Sequence, residues 1–263
     1  MSVYGALMEH IGSWRIRRHS WQGLGFIIDG LVSEERLTPP DYVNDILLTP
    51  EHRSAFLALV DREGLVVCKN VGGNDALHKD VRGRSSRGRL SQGEYYHHDG
   101  CSGPVKPRVV EIRCPYQPTE RHVATAVAAF PELLVAMVRA LPNHLCLDAE
   151  LQTVHARIMA GECFSGEAAH TAQGILNRSL RRRLSAEAAR AYFREVDLAA
   201  GAYREPWALG ESRFIANNNS GKTMQHRRAY LDPHSDSRPN GRLLKRWPDG
   251  PFEEEDLCLR AVA

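Results

Sequence analysis

The chain has 263 residues, of which 43% are hydrophobic and 25% charged, as in ordinary globular proteins. Its formal net charge of +2 gives no general reason to expect a nucleic-acid or membrane partner, so we expect a small-molecule substrate, with the oligomeric state left unknown. The length suits a single domain over residues 1–263, with elements from 1–60 packed on a core formed by 61–250.

The N-terminal quarter of the chain is predicted to form outer elements and a first buried strand. Aromatic and apolar residues among Arg and Gly in 1–40 indicate a short strand and a helix. Between 41 and 59 the apolar positions follow helical spacing with a break at Pro50, which predicts two helices joined by a turn. The β-branched run in 64–71, followed by a pair of glycines, is typical of a buried strand.

A loop rich in Arg, Gly and Ser lies between residues 78 and 92 and includes Arg84, Arg87 and Arg89. Because it runs directly into a histidine-rich stretch, it could act as a lid whose arginines contact an anionic substrate. Charge runs usually face only solvent, so a surface loop without a ligand is the alternative.

The histidine-rich stretch is Gly-Glu-Tyr-Tyr-His-His-Asp-Gly at 93–100. On an extended backbone alternate side chains share a face, so His97 and Asp99 point one way and His98 the other. An imidazole and a carboxylate at this spacing, completed by a second imidazole from elsewhere, form a ligand set that holds Fe(II) and leaves coordination positions open. His226 is our candidate for the second imidazole.

The middle of the chain is predicted to mix strands and helices. Weak alternation indicates a strand in 105–114, and a strongly apolar run indicates a helix over 124–141. Alternating apolar residues in 147–159 suggest another strand. Helical spacing returns in 178–197, where Ser185 can cap a helix.

A hairpin is predicted to deliver His226. Residues 213–216 suggest a strand, the Asn-rich stretch 217–221 a turn, and 222–230 the returning strand. Further on, Arg242 and Arg246 are four residues apart, a spacing that puts both on one face of a strand. An arginine near the metal can bind a dicarboxylate through a bidentate fork.

These stretches together resemble a known family. His-x-Asp at 97–99, His-Arg-Arg-Ala-Tyr at 226–230 and Arg-Leu-Leu-Lys-Arg at 242–246 look like the motifs of Fe(II)/2-oxoglutarate oxygenases of the clavaminate synthase-like and taurine dioxygenase-like group. The resemblance covers roughly residues 60–250, although only the motif regions are specific. It implies a mainly β catalytic domain with flanking helices around a double-stranded β-helix, or jelly-roll, core.

The resemblance also implies roles for individual residues. The three candidate ligands would hold Fe(II), and Arg242 and Arg246 would bind the far carboxylate of 2-oxoglutarate. The Gly-Gly-x-Thr segment of the family is absent here, which leaves Thr125 as the candidate for the second co-substrate anchor. His234 is an alternative to His226, since its spacing to Arg246 also fits.

The activity implied is hydroxylation of an unactivated carbon in a small polar molecule, such as a free amino acid or a natural-product intermediate. Fe(II), 2-oxoglutarate and O2 would be required, and succinate and CO2 released. We expect Trp207 and the three arginines of the 78–92 loop to contact substrate. Catabolism of sulfonates or phenoxyacids, oxidative cyclisation or desaturation, and a non-catalytic cupin-like metal-binding or small-molecule-binding role are the alternatives.

The cysteines point to a reducing compartment. Six are scattered along the chain with no Cys-x-x-Cys pair, and the first residues lack the basic start and apolar run of a secretory leader. No run of eighteen apolar residues occurs. We therefore expect a cytoplasmic protein.

Overall fold

The fold contains nine strands and five α-helices within the residues that the computed structural model describes. These are 15–18, 26–29, 50–69, 79–81, 92–99, 107–114, 123–143, 145, 148–164, 166–208, 210–217, 223–230 and 243–246. The strands are β1 (Arg15–Arg18), β2 (Phe26–Asp29), β3 (Leu65–Lys69), β4 (Lys79–Val81), β5 (Val109–Cys114), β6 (Val123–Ala129), β7 (Glu211–Ala216), β8 (Met224–Tyr230) and β9 (Leu243–Arg246).

The strands form two sheets. Seven belong to a large sheet in the order β1-β2-β3-β7-β5-β9-β4, and β6 and β8 form a small antiparallel sheet. Within the large sheet, β2 and β3 are parallel and the other described neighbours antiparallel. All six residues of β5 and of β7 are buried, because these strands are central in the sheet and covered on both faces.

Five helices accompany the sheets: α1 (Pro50–Glu63), α2 (Phe130–Arg139), α3 (Ala149–Met159), α4 (Gly166–Arg183) and α5 (Ala186–Ala199). Two begin at side-chain caps. Asp148 accepts a hydrogen bond from the amide of Leu151, and Ser185 accepts one from the amide of Ala188, which satisfies amides that have no partner inside a helix. None of the described helices is both long enough and apolar enough to cross a membrane.

The small sheet has an inner and an outer face. On the inner face, Val127 and Met224 join a hydrophobic core with α1 and strands of the large sheet. On the outer face, Ala126 and Ala128 join a second core with helices α2 to α5. Small alanine side chains allow the helices to approach the strand closely. The small sheet therefore lies between the large sheet and the helices.

Several predicted elements are confirmed. The strand in 64–71 is β3, the strand in 105–114 contains β5, and Ser185 caps the helix α5 as expected. The prediction of sheets with flanking helices is also confirmed, although more of the described residues are helical than a mainly β fold implies. The jelly-roll core and the single domain stay predictions.

Two element types were predicted wrongly. The apolar run 124–141 begins as strand β6, because every residue of that strand pairs with β8, and becomes helical only at Phe130. The segment 147–159 is the helix α3 rather than a strand. Leu151, Val154 and Ile158 lie three and four residues apart, so they share its buried face.

The strands predicted at 213–216 and 222–230 are confirmed as β7 and β8, but the predicted hairpin between them is wrong. Strand β7 belongs to the large sheet and β8 to the small one, so the chain crosses between sheets after residue 217 instead of folding back on its neighbour. Of the two helices predicted on either side of Pro50, α1 begins at that proline. The other lies outside the described residues.

Candidate metal centre

The centre is built where residues 95–99, called here the metal segment, run beside strand β8. His97 and His226 face each other across an antiparallel bridge, and each backbone amide donates to the other's carbonyl at 3.1 Å. Directly opposed residues of an antiparallel pair project to the same side. Their imidazole rings accordingly lie 4.5 Å apart, centre to centre.

Asp99 completes the group. Its Oδ1 lies 3.7 Å from His97 Nε2 and 3.8 Å from His226 Nε2, and one ligand atom from each of the three residues lies within 4.8 Å of the others. His226 is buried, with 3% of its surface exposed, while His97 and Asp99 are partly exposed. Two of the three side chains therefore keep part of their surface accessible.

The orientation of His97 is fixed by a hydrogen bond. Its Nδ1 lies 2.8 Å from the carbonyl oxygen of Tyr95, so Nδ1 carries the proton and donates it. The lone pair then resides on Nε2, the atom that faces Asp99. A backbone carbonyl holding the other ring nitrogen is the usual arrangement for a histidine that binds a metal.

His98 points away from this group. Its ring lies 4.4 Å from that of His170 on α4, and His170 in turn stacks on Phe130 at 4.8 Å. The alternation expected on an extended backbone thus separates His98 from the residues on either side of it.

Behind the two histidines lies a buried network of Tyr96, Asp197 and Arg227. Tyr96 precedes His97 and Arg227 follows His226, so both side chains point to the outer face. The Tyr96 hydroxyl donates to Asp197 Oδ1 at 2.7 Å, and Arg227 binds both carboxylate oxygens at 3.0 and 2.6 Å. A carboxylate from α5 therefore joins the metal segment to β8.

Burial, and then the nearby Asp197 carboxylate, raise the pKa of the Tyr96 hydroxyl well above its ordinary value. The hydroxyl therefore stays protonated and continues to donate. Helix α4 adds a second attachment, since the side-chain amides of Gln173 and Asn177 donate to the Tyr96 carbonyl at 3.1 and 3.2 Å.

The structure places Thr125 on the inner face of the small sheet. Thr125 is opposite Arg228, and Val127 is opposite His226, so all four side chains share the face that carries the metal group. Thr125 is buried and Arg228 half-buried. Arg228 was not assigned a role from sequence, where it was one of two consecutive arginines.

Of the other predicted binding residues, only Arg246 and Trp207 lie in the part of the chain that the structure describes. Arg246 ends β9, where its backbone pairs with Glu111. Trp207 is buried and stacks over the guanidinium of Arg213 at 3.9 Å, which gives its ring a packing role. The following lie outside the described residues: Arg84, Arg87, Arg89, His234 and Arg242.

The donor set fits a divalent transition metal. Two imidazole nitrogens and one carboxylate on neighbouring backbone segments match the facial ligand set of non-haem Fe(II). Three such donors around an octahedral ion, each about 2.1 Å from it, would be about 3 Å apart. The two carboxylate–imidazole distances of 3.7 and 3.8 Å exceed this value by less than about 1 Å, and all three ligand atoms lie within 4.8 Å of one another.

Comparisons with known proteins give no sequence match. No protein-family model matches the chain, and no curated protein does. Solved structures do match. One is PvcB, an Fe, alpha-ketoglutarate dependent oxygenase from an isonitrile synthetic pathway, at 12% identity and a TM-score of 0.45, covering 89% of this chain and 90% of that one.

Another match is a taurine dioxygenase from Burkholderia xenovorans, at 12% identity and a TM-score of 0.42, covering 89% of this chain and 88% of that one. An asparagine oxygenase, solved with Fe(II), 2S,3S-3-hydroxyasparagine and succinate, matches at 13% identity and a TM-score of 0.39, covering 80% and 84%. These neighbours are oxygenases. They include the class that the sequence motifs resemble, but at such identities and TM-scores function must be inferred from the metal centre itself.

Proposed function

We propose that the protein is a non-haem Fe(II)/2-oxoglutarate-dependent oxygenase that hydroxylates an unactivated carbon of a small polar molecule. The observation that carries this proposal is the meeting of His97, Asp99 and His226 within 4.8 Å. Two of these residues are close in sequence, and the third comes from a strand more than 120 residues further on. Free amino acids and natural-product intermediates are the proposed substrates.

The ligand set explains why Fe(II) is the proposed metal. His97, Asp99 and His226 would hold Fe(II) through two imidazole nitrogens and one carboxylate, a ligand set that would leave room for a chelating co-substrate and O2. When bound, Fe(II) with 2-oxoglutarate supplies the chemistry that converts O2, 2-oxoglutarate and a C–H bond into succinate, CO2 and a C–OH group. The protein would bind and orient these partners and exclude water from around them.

Residues on the inner face of the small sheet would orient the co-substrate. Arg228 lies two residues beyond His226 on β8, so the two side chains share that face about 6.6 Å apart. Thr125, directly opposite, offers a hydroxyl. We propose Thr125 as one co-substrate contact and keep Arg242 and Arg246 as the candidate arginines for the far carboxylate.

The metal ligands would be held from behind during turnover. The Nδ1 proton of His97 is held by the Tyr95 carbonyl, which keeps Nε2 available as a ligand. The hydroxyl of Tyr96 and the guanidinium of Arg227 are both held by Asp197, which keeps the two histidines in register. Ligands held in this way need little rearrangement when the metal binds.

The test is turnover of the co-substrate. Purified protein is incubated with Fe(II), ascorbate, O2 and 2-oxoglutarate, with and without a panel of free amino acids, and succinate is measured. We expect succinate formation that depends on Fe(II), increases with a substrate, and is lost in Asp99→Ala. His98→Asn serves as the matched control, because this histidine is a neighbour of both ligands but faces His170.

Two results would contradict the proposal. If Asp99→Ala still formed succinate, the Asp99 carboxylate would not be a ligand of the metal. Tight Fe(II) binding without any turnover across the panel would favour a metal-binding protein that lacks oxygenase activity.

A further inference from the structure

Asn217 connects the large sheet to the metal segment. It follows β7 directly and is fully buried, and its backbone amide donates to the Arg108 carbonyl at 2.7 Å. Its side chain reaches Asp99. The Asp99 amide donates to Asn217 Oδ1 at 2.7 Å, and Asn217 Nδ2 donates to the Asp99 carbonyl at 3.1 Å.

The same side-chain amide has a third hydrogen bond, from Nδ2 to the Pro107 carbonyl at 2.7 Å. An asparagine amide offers two donors and one acceptor oxygen, and all of these are used here. Both backbone groups of Asp99 are therefore held by a single side chain, which is in turn anchored beside β5.

The Asn217 side chain supplies hydrogen bonds to the metal segment beyond the point where its pairing with β8 ends. His97 is held by β8 through two backbone hydrogen bonds, but the pairing between these segments is a single bridge. Asp99, two residues further on, receives the equivalent pair of hydrogen bonds from the Asn217 amide. His97 is thus held by the small sheet, and Asp99 by the residue that follows β7.

We propose that Asn217 is a positioning residue that sets the backbone at Asp99 so that its carboxylate faces the two imidazoles. The inference rests on the proposed metal centre. Without the amide, the Asp99 backbone would lose both of these hydrogen bonds, and its side chain would leave the orientation that brings Oδ1 to within 3.8 Å of both Nε2 atoms. Losing an outer partner of a metal ligand typically lowers metal affinity about 10–100-fold.

The experiment measures metal binding by the whole chain. Mn(II) and Fe(II) are titrated anaerobically into the wild type, Asn217→Ala and Asn217→Ser, and the absorption spectrum of the Co(II) form is recorded for each. We expect the Kd for Mn(II) to rise about 10–100-fold in Asn217→Ala, with a changed Co(II) spectrum. Asn217→Ser, which keeps one hydrogen-bonding group, is expected to fall between, and it decides the question if the alanine variant does not fold.

The matched control is Ser212→Ala. Ser212 lies on β7, the strand that precedes Asn217, is fully buried, and donates a hydrogen bond to Glu111 at 2.8 Å. It should lower the unfolding midpoint without changing Mn(II) affinity or the Co(II) spectrum. A purely structural Asn217 would behave like this control.

The outcomes separate this inference from the proposed function. If the wild type binds no metal, or Asp99→Ala binds as well as the wild type, the metal centre itself is wrong. If the wild type binds, Asp99→Ala does not, and folded Asn217 variants bind with wild-type Kd and spectrum, only the role of Asn217 is overturned.

Discussion

The Tyr96–Asp197–Arg227 network predicts a large loss of stability in Asp197→Ala. Asp197 is 2% exposed and Arg227 4% exposed, so the pair is shielded from solvent. The carboxylate accepts three short hydrogen bonds, two from the guanidinium and one from the tyrosine hydroxyl. Its removal leaves a buried positive charge and a buried hydroxyl without their main partner.

Breaking one side of a buried ion pair typically costs about 3–5 kcal/mol, because the remaining charge stays desolvated. With a urea m-value of about 1–3 kcal/mol/M, this cost would lower the unfolding midpoint by at least about 1 M. Arg204 approaches Asp197 at 3.8 Å but is one-third exposed, so it can turn to solvent when the carboxylate is removed.

The assay is urea unfolding followed by circular dichroism. The double variant Asp197→Leu/Arg227→Met removes both charges, and we expect it to be more stable than Asp197→Ala alone. Glu162→Ala breaks the exposed Arg157–Glu162 pair and should change the midpoint little. A midpoint for Asp197→Ala equal to that of Glu162→Ala would refute the reasoning, as would a double variant no more stable than the single one.

Two further predictions concern the core and the backbone. Burial raises the pKa of the Tyr192 hydroxyl above that of the unfolded chain, so its contribution to the unfolding free energy is complete below about pH 10 and is lost as the pH rises further. The fall in unfolding free energy at alkaline pH should therefore be shallower in Tyr192→Phe, and an unchanged slope would contradict this. Gly64 has φ +81° and an added Cβ would lie 2.8 Å from Met224 Sδ, so Gly64→Ala should cost about 1–2 kcal/mol from the left-handed backbone plus the contact. Gly161→Ala, at φ +82° with no atom within 4 Å of the added Cβ, isolates the backbone cost, and thermal midpoints equal for both variants would contradict a contribution from Met224.

Local chemistry predicted part of the site. The alternation of side chains on an extended backbone was sufficient to separate His98 from His97 and Asp99, because that separation depends only on neighbouring residues. The Ser185 cap was predictable for the same reason. Helix α3 could have been predicted too, since Asp148 precedes apolar residues at helical spacing, but short apolar runs are ambiguous between strand and helix.

Long-range pairing determined what the sequence did not indicate. The alanine-rich run at 123–129 is a strand because it pairs with β8, about a hundred residues away, and pairing of this kind overrides local preference. The predicted hairpin is wrong for the same reason, because β7 and β8 each pair with distant strands instead of each other. A turn-rich sequence cannot specify which sheet each strand joins.

The supporting residues of the centre had no local signal at all. Asn217 meets Asp99 from 118 residues away, and Asp197 meets Tyr96 from 101 residues away. An asparagine after a strand and an aspartate in a helix are ordinary in sequence, and only the folded chain gives them partners. By contrast, Arg227 and Arg228 were visible as a pair, and strand alternation sends one to the helices and the other to the inner face.

Anaerobic Fe(II) titration tests the central claim most directly, because it asks whether residues 97, 99 and 226 bind one ion together. We expect one Fe(II) per chain in the wild type and in His98→Asn. Asp99→Ala and His226→Ala should each lose that binding. Full Fe(II) affinity in His226→Ala would contradict a centre shared between the metal segment and β8.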